Sequence, residues 1–176
     1  LSEAQAVLRL IFENRQAILS AARSSGVDPQ HIASIIFQEK LHPTGAMVKN
    51  FLFAWPQILV GGQSASIGMA EMDVNTAATL LNIDPRQMDG DTYDRIVEIL
   101  SDDEQAIHLI GANVSRFEEA LGRPITVQEA THGHNVGVEQ LIKDLPIVNG
   151  TSTSRRSWPY QDAIGRALDG SLFPGE

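Results

Sequence analysis

Apolar positions along most of this chain recur with the period of an α-helix, and the strict two-residue alternation of a half-buried strand is scarce. Ala6, Leu8, Ile11, Phe12, Ile18, Leu19 and Ala22 make one stripe, which predicts a helix from Ser2 to Gly26. Ser2 followed three residues later by Gln5 is the capping-box spacing that starts it. Asp28 and Pro29 open a second helix, to about Leu41, because Asp accepts a backbone N–H at the cap and Pro has no N–H to lose in the first turn. Ile32, Ile35 and Ile36 fall at i, i+3 and i+4, and the next position on that stripe is Glu39. A carboxylate therefore ends a face that should pack on the core. Burial raises a carboxyl pKa, which is how a protein keeps a glutamate protonated near neutral pH for general acid work; a helix end pointing into water is the plainer alternative.

Beyond this helix the pattern breaks at His42-Pro43-Thr44-Gly45. A segment with Phe51, Phe53, Trp55 and Pro56 runs on to Gly62 without clean periodicity, apart from a short helix that Ala46 to Phe53 could form. So irregular and aromatic a stretch reads as a wall of a binding cleft more than as a connector. Gly62 to Asp73, rich in Gly and Ser, permits tight turns and a short hairpin. Asp73 can cap a helix from Val74 to Leu81, and Asp91 one from Thr92 to Leu100. Ser101 with Glu104 reads as a capping box for the longest helix, a central support ending near Leu121 before Gly122. Thr126 with Glu129 repeats the signature for a short helix interrupted at His132-Gly133-His134-Asn135-Val136-Gly137, with another turn or two from Val138 to Lys143. Asn149 to Ser154 is polar and flexible in composition, and a last helix spans about Pro159 to Leu168. The predicted class is mainly α.

Composition narrows the function. A chain of 176 residues is long enough for one domain, 1–176, with its own core, and a hydrophobic content of 43 % is that of an ordinary globule. It has no cysteine, so neither disulfides nor thiolate metal sites hold it together. No apolar run approaches a membrane span, and the acids within the first apolar stripe are unlike a signal peptide. Starting at Leu rather than Met, the chain reads as a mature form or part of a longer protein. A net charge of −9 and a pI near 4.9 argue against nucleic-acid binding. They also argue against a helix–turn–helix around AARSSGVDPQHIAS, whose second helix has only Lys40 near its end.

Four segments, in order and at fitting intervals, resemble the lysozyme-like superfamily, specifically goose-type lysozymes and soluble lytic transglycosylases. Ile35-Ile36-Phe37-Gln38-Glu39 is similar to the helix that ends in that family's catalytic Glu. Ser66-Ile67-Gly68-Met69-Ala70-Glu71-Met72-Asp73, with Thr76-Ala77 beyond, resembles its Gly-Leu-Met-Gln segment and the Thr-Ala helix that follows. His134-Asn135-Val136-Gly137 is similar to Ala-Tyr-Asn-x-Gly, and Trp158-Pro159-Tyr160 stands where the family has a Tyr-containing C-terminal helix. The match spans about Gly26 to Leu168. It departs at Lys40, where the family usually has Ser, at Glu71 in place of Gln, and at His134 in place of an aromatic residue.

The resemblance implies a lysozyme-like helical domain with a short irregular or β-hairpin loop beside its cleft. It also implies a muramidase acting on peptidoglycan glycan strands without cofactor or metal. Glu39 would be the general acid. Glu71 and Asp73 are the candidates for a second carboxylate, Asp73 standing where goose-type lysozymes carry a water-positioning aspartate. Ser66, Gly68, Met69, His134, Asn135 and Tyr160 would contact the sugar. An inverting hydrolase needs a base about 6.5–9.5 Å across from the acid, whereas a lytic transglycosylase uses the sugar's own C6 hydroxyl, so surplus acids on this loop favour hydrolysis. Asp73 has an alternative as a simple N-cap, Glu71 as a solvated charge, and Trp55 and Trp158 as core residues. His132 and His134, lacking a third ligand type nearby, do not suggest zinc. A module that binds glycan without cutting it is the rival of another class. The implied site of action is the periplasm or cell wall, and an acidic hydrolase suits local delivery, as by a secretion route or phage particle, with an immunity protein as a possible partner.

Overall fold

The computed structural model describes residues 2–41, 66–150 and 158–176. The aromatic segment with Trp55 and the 46–53 helix expectation lie outside the described residues. Among the described residues the chain is mainly helical: α1 (Glu3–Glu13), α2 (Arg15–Ser25), α3 (Pro29–Lys40), α4 (Val74–Leu80), α5 (Gly90–Ser101), α6 (Asp103–Leu121), α7 (Val127–Val136), α8 (Val138–Gly150) and α9 (Gln161–Asp169). One antiparallel hairpin, β1 (Ser66–Ile67) and β2 (Met72–Asp73), pairs Ser66 with Asp73 and Ile67 with Met72. No described helix is long and apolar enough to cross a membrane.

Several ends fall where local chemistry predicts. Ser2 and Gln5 form the capping box of α1, Asp28 accepts from Gln30 N–H ahead of Pro29, and Thr126 with Glu129 caps α7. Gly122 closes α6 in the left-handed conformation. Others are corrected. The single helix expected from Ser2 to Gly26 is two, parting at Asn14 (φ −96°, ψ 9°), whose N–H and side-chain amide both bond the Leu10 carbonyl to end α1, while the Arg15 guanidinium takes the Phe12 carbonyl at 2.8 Å. Asp89 caps α5 rather than Asp91. Ser101 spends its hydroxyl on the Val97 carbonyl inside α5, so Asp102 caps α6 and accepts from Gln105. The predicted interruption at His132 to Gly137 is only its last residue: α7 is continuous to Val136, and α8 passes through Pro146 to Gly150 instead of ending near Lys143.

α3 occupies the centre, packed by α1, α2, α6, α7 and α9. Every residue from His31 to Glu39 is buried, so this helix is enclosed all round and not merely along its isoleucine stripe. The long α6 supports it through α2 and α7, burying Ile107, Ile110, Val114 and Phe117. Gly133 lets α7 lie close on its neighbours, since a Cβ there would meet Leu141 of α8 at 2.9 Å and the Phe117 ring at 3.0 Å. Glu129, nearly fully buried, is opposed in its ionisation by burial, but the two-pronged Arg123 pair and the Thr126 cap outweigh this and hold its carboxyl below the ordinary range.

Candidate active site

Glu39 is the last residue but one of α3, and its side chain is only 7 % exposed. It meets Glu71, from the turn joining β1 to β2, within side-chain hydrogen-bonding reach. Burial pushes the Glu39 carboxyl up to about 8, aided by the charge of Glu71 and by its hydrogen bond, against the weaker opposing pull of Lys40. A hydrogen bond that raises Glu39 is one in which Glu39 holds the proton and donates it to the Glu71 carboxylate. At neutral pH the buried Glu39 carboxyl therefore keeps its proton.

The turn is held at three points. Lys40 Nζ donates to the Gly68 carbonyl at 2.9 Å, tying the end of α3 to the hairpin. His134 Nε2 lies 2.7 Å from the Ala70 carbonyl, fastening the turn to α7. Gly68, at φ +71°, packs so close to the end of α5 that a Cβ would stand 1.9 Å from the Leu100 carbonyl oxygen. Glu71 itself has φ +43°, a left-handed conformation that costs a non-glycine residue on the order of 1 kcal/mol. Burial of Met69, Ala70 and Met72 in the core holds the backbone there and turns Glu71 toward Glu39.

A cleft of about 140 Å³ opens beside the pair, lined by Glu39, Glu71, Asp73, Asn113, His134 and Asn135, with Met72 and Thr76 completing it. Asp73 has the capping role as well as a place in the cleft: it accepts from Thr76 N–H at 2.9 Å and from the Thr76 hydroxyl at 2.7 Å. Burial lowers the pKa of His134 and keeps its imidazole neutral, against the raising effects of the Ala70 carbonyl and Asp73. Asn113 Nδ2 lies 3.4 Å from His134 Nδ1.

Of the residues expected at the sugar, His134 and Asn135 reach the cleft. Gly68 and Met69 do not line it: the first is packed on Leu100 and the second, 4 % exposed, belongs to the core. Tyr160 does not line it either, and stacks its ring at 4.9 Å on Phe37, two residues before Glu39, where it steadies the acid's helix. Ser66 serves as the backbone partner of Asp73 in the hairpin. His132 pairs with Asp144 of α8 at 2.8 Å, and among the described residues no group of three or more His, Asp or Glu gathers in an arrangement that could hold a metal. Asn113 and Thr76 are cleft residues that the sequence reading missed. Asn113 carried the same signal as Glu39, since it follows Ile110 by three on the apolar stripe of α6.

Fold and site together define a mainly helical protein with a buried glutamate meeting a second carboxyl beside a polar cleft. No protein-family model, curated protein or solved structure matches the chain.

Proposed function

We propose that this is a glycosidase of lysozyme-like fold, a muramidase that cuts the β-1,4 bond between N-acetylmuramic acid and N-acetylglucosamine in peptidoglycan strands. The observation that carries the reading is a buried glutamate at the end of α3, within reach of a second carboxyl and lining an open cleft with Asp73, an environment that favours its protonated form. Glu39 donates its proton to the glycosidic oxygen as the bond breaks, and the repulsion between the carboxylate left behind and Glu71 drives its reprotonation for the next turnover. Glu71 is within hydrogen-bonding reach of the acid, closer than the separation across which an inverting base works. Asp73 is the better base. Its two oxygens are bound to Thr76, but a carboxylate has about four lone-pair sites and can still orient a water in the cleft.

One observation favours a second chemistry at the same site. Because Glu71 shares the proton of Glu39 rather than facing it across the cleft, Glu39 alone could serve as acid and then as base toward the sugar's C6 hydroxyl, as in a lytic transglycosylase. Digestion of purified peptidoglycan followed by mass spectrometry separates the two. Reducing ends are the expected products; 1,6-anhydro termini would assign transglycosylation, and retention of the glycan without any product would leave a binding module. On this reading the activity belongs in the periplasm or cell wall, where peptidoglycan lies.

The role of Glu71 has its own test. In Glu71→Gln the repelling charge is gone, so the pKa of Glu39 falls from about 8 toward the ordinary carboxyl range, though burial still holds it up. The acid works only while protonated, so the alkaline limb of kcat/KM, expected near pH 8 in the parent, moves to lower pH in the variant. A limb that stays in place would deny Glu71 any influence on the acid.

A further inference from the structure

We infer that Lys40 acts on Glu39 as a positioning residue and not as a nearby charge, its ammonium holding the hairpin turn so that the Glu71 carboxyl stays against the acid; that Glu39 is the acid is the glycosidase reading above, on which this rests. The Gly68 carbonyl carries two hydrogen bonds at once. It accepts from Lys40 Nζ at 2.9 Å and from the backbone N–H of Glu71 at 3.3 Å. Lys40 therefore grips the oxygen that closes the turn onto Glu71, and a bond from an ammonium is the stronger of the two kinds. Lys40 is also the next residue after Glu39 on α3, so its grip fixes the turn relative to the helix that carries the acid. The other two holds come from elsewhere: His134 of α7 at the Ala70 carbonyl, and the packing of Gly68 on Leu100 of α5.

Glu71 needs such a hold for two reasons. Its backbone, at φ +43°, gains by relaxing out of the left-handed region. Its carboxylate also faces a second carboxyl, and the two repel whenever both ionise. The titratable groups around Glu39 are Lys40 beside it on α3, Glu71 and Asp73 on the hairpin, and His134 on α7, while α6 brings only the amide of Asn113 to the cleft. Within this set, the two ways in which Lys40 can act on Glu39 differ in sign. As a charge it favours ionisation and lowers the pH at which Glu39 gives up its proton. As a tether it keeps Glu71 in place, and the charge and the hydrogen bond of Glu71 each raise that pH by more than the Lys40 charge lowers it. A tether therefore helps the acid keep its proton, although the residue itself is positive.

The test is a carbon-13 NMR titration of protein with labelled glutamate carboxyls, the Glu39 signal being the one missing from Glu39→Gln. Its midpoint is expected at about 8 in the unmodified chain. Lys40→Met, which has nearly the length of lysine with neither charge nor donor, is expected to lower that midpoint by about one pH unit, and the alkaline limb of kcat/KM on peptidoglycan is expected to follow. In a Glu71→Gln background there is no second charge to hold in place. There the same substitution removes only the lowering charge and is expected to raise the midpoint slightly. A midpoint that rises or stays put in Lys40→Met overturns the positioning role and leaves Lys40 a mere charge. A fall of equal size in the Glu71→Gln background overturns it too, because Lys40 would then act without Glu71. The titration needs no substrate, so an absence of peptidoglycan products overturns the glycosidase reading while the midpoints still decide whether Lys40 holds the pair. Should Lys40→Met not fold, the ammonium signal of Lys40 in the unmodified protein decides: a held ammonium exchanges its protons slowly with water, and a freely exchanging one overturns the inference.

Discussion

Glu39→Gln is expected to lower cleavage of purified peptidoglycan by roughly 10²–10⁴-fold, the usual contribution of a positioned general acid, and at the same time to make the protein more stable. The two effects have one cause. Glu39 ionises near 8 in the fold against an ordinary value of 4.5, so between these the folded chain holds a proton that the unfolded chain has released. A raised carboxyl of this kind is no burden below about 4.5, and its cost to stability grows as pH rises through that window until it levels above about 8. At pH 7 the cost is on the order of 3 kcal/mol at most. Glutamine has the same shape, cannot ionise, and can donate its NH₂ to Glu71 as the protonated acid does. Thermal melts should therefore rise by several degrees in the variant at neutral pH, with a gain that widens between pH 5 and pH 8. Retained activity would remove Glu39 from the chemistry. A melting difference that does not grow with pH would mean that the buried carboxyl is not held protonated.

Gly68→Ala is expected to be the most damaging substitution in the hairpin, costing about 3 kcal/mol or more and most of the activity. Two penalties combine there. The left-handed backbone, φ +71°, costs any L-residue about 1 kcal/mol, and the added methyl would lie 1.9 Å from the Leu100 carbonyl oxygen, so backbone must move. Movement of Gly68 withdraws the carbonyl that Lys40 holds and shifts the turn that carries Ala70 and Glu71, so the Glu39 partner is lost along with stability. Gly26→Ala is the control, because Gly26 has nearly the same φ, +69°, with nothing within 4 Å of its Cβ position. It should lose only the backbone share, with activity kept. Denaturant melts and cleavage assays on the pair check this, and equal losses would mean that the contact with Leu100 has no weight.

The helical class and most helix ends were legible because their causes are local. A capping side chain reaches three residues along, and the chain that offers Thr126 and Glu129 or Asp28 and Pro29 needs no distant partner to use them. The same locality explains the misses. Where two neighbouring residues could both cap, as Ser101 and Asp102, the choice depended on which side chain was already engaged, and Ser101 was taken by Val97. Asn14 divided a stripe that looked continuous because its backbone leaves the helical conformation without disturbing the apolar spacing on either side. Met69 and Tyr160, expected at the sugar by resemblance, instead pack beneath the site, where they hold the hairpin and the acid's helix.

By itself the sequence determined that an apolar helix with a firm start at Asp28 ends in a glutamate, and that a second carboxylate follows on a glycine-bearing turn. Whether those two acids touch could not be read from spacing, because 32 residues separate them and the contact depends on where the core holds the turn. The tertiary structure decided it: Lys40 and His134 seize two carbonyls of that turn, the second across 64 residues, and the buried Met69, Ala70 and Met72 hold its backbone where Glu71 meets Glu39. Only there does a glutamate with an ordinary pKa in the unfolded chain become an acid that keeps its proton at neutral pH, since burial and a neighbouring charge are properties of the packed protein and not of the residue.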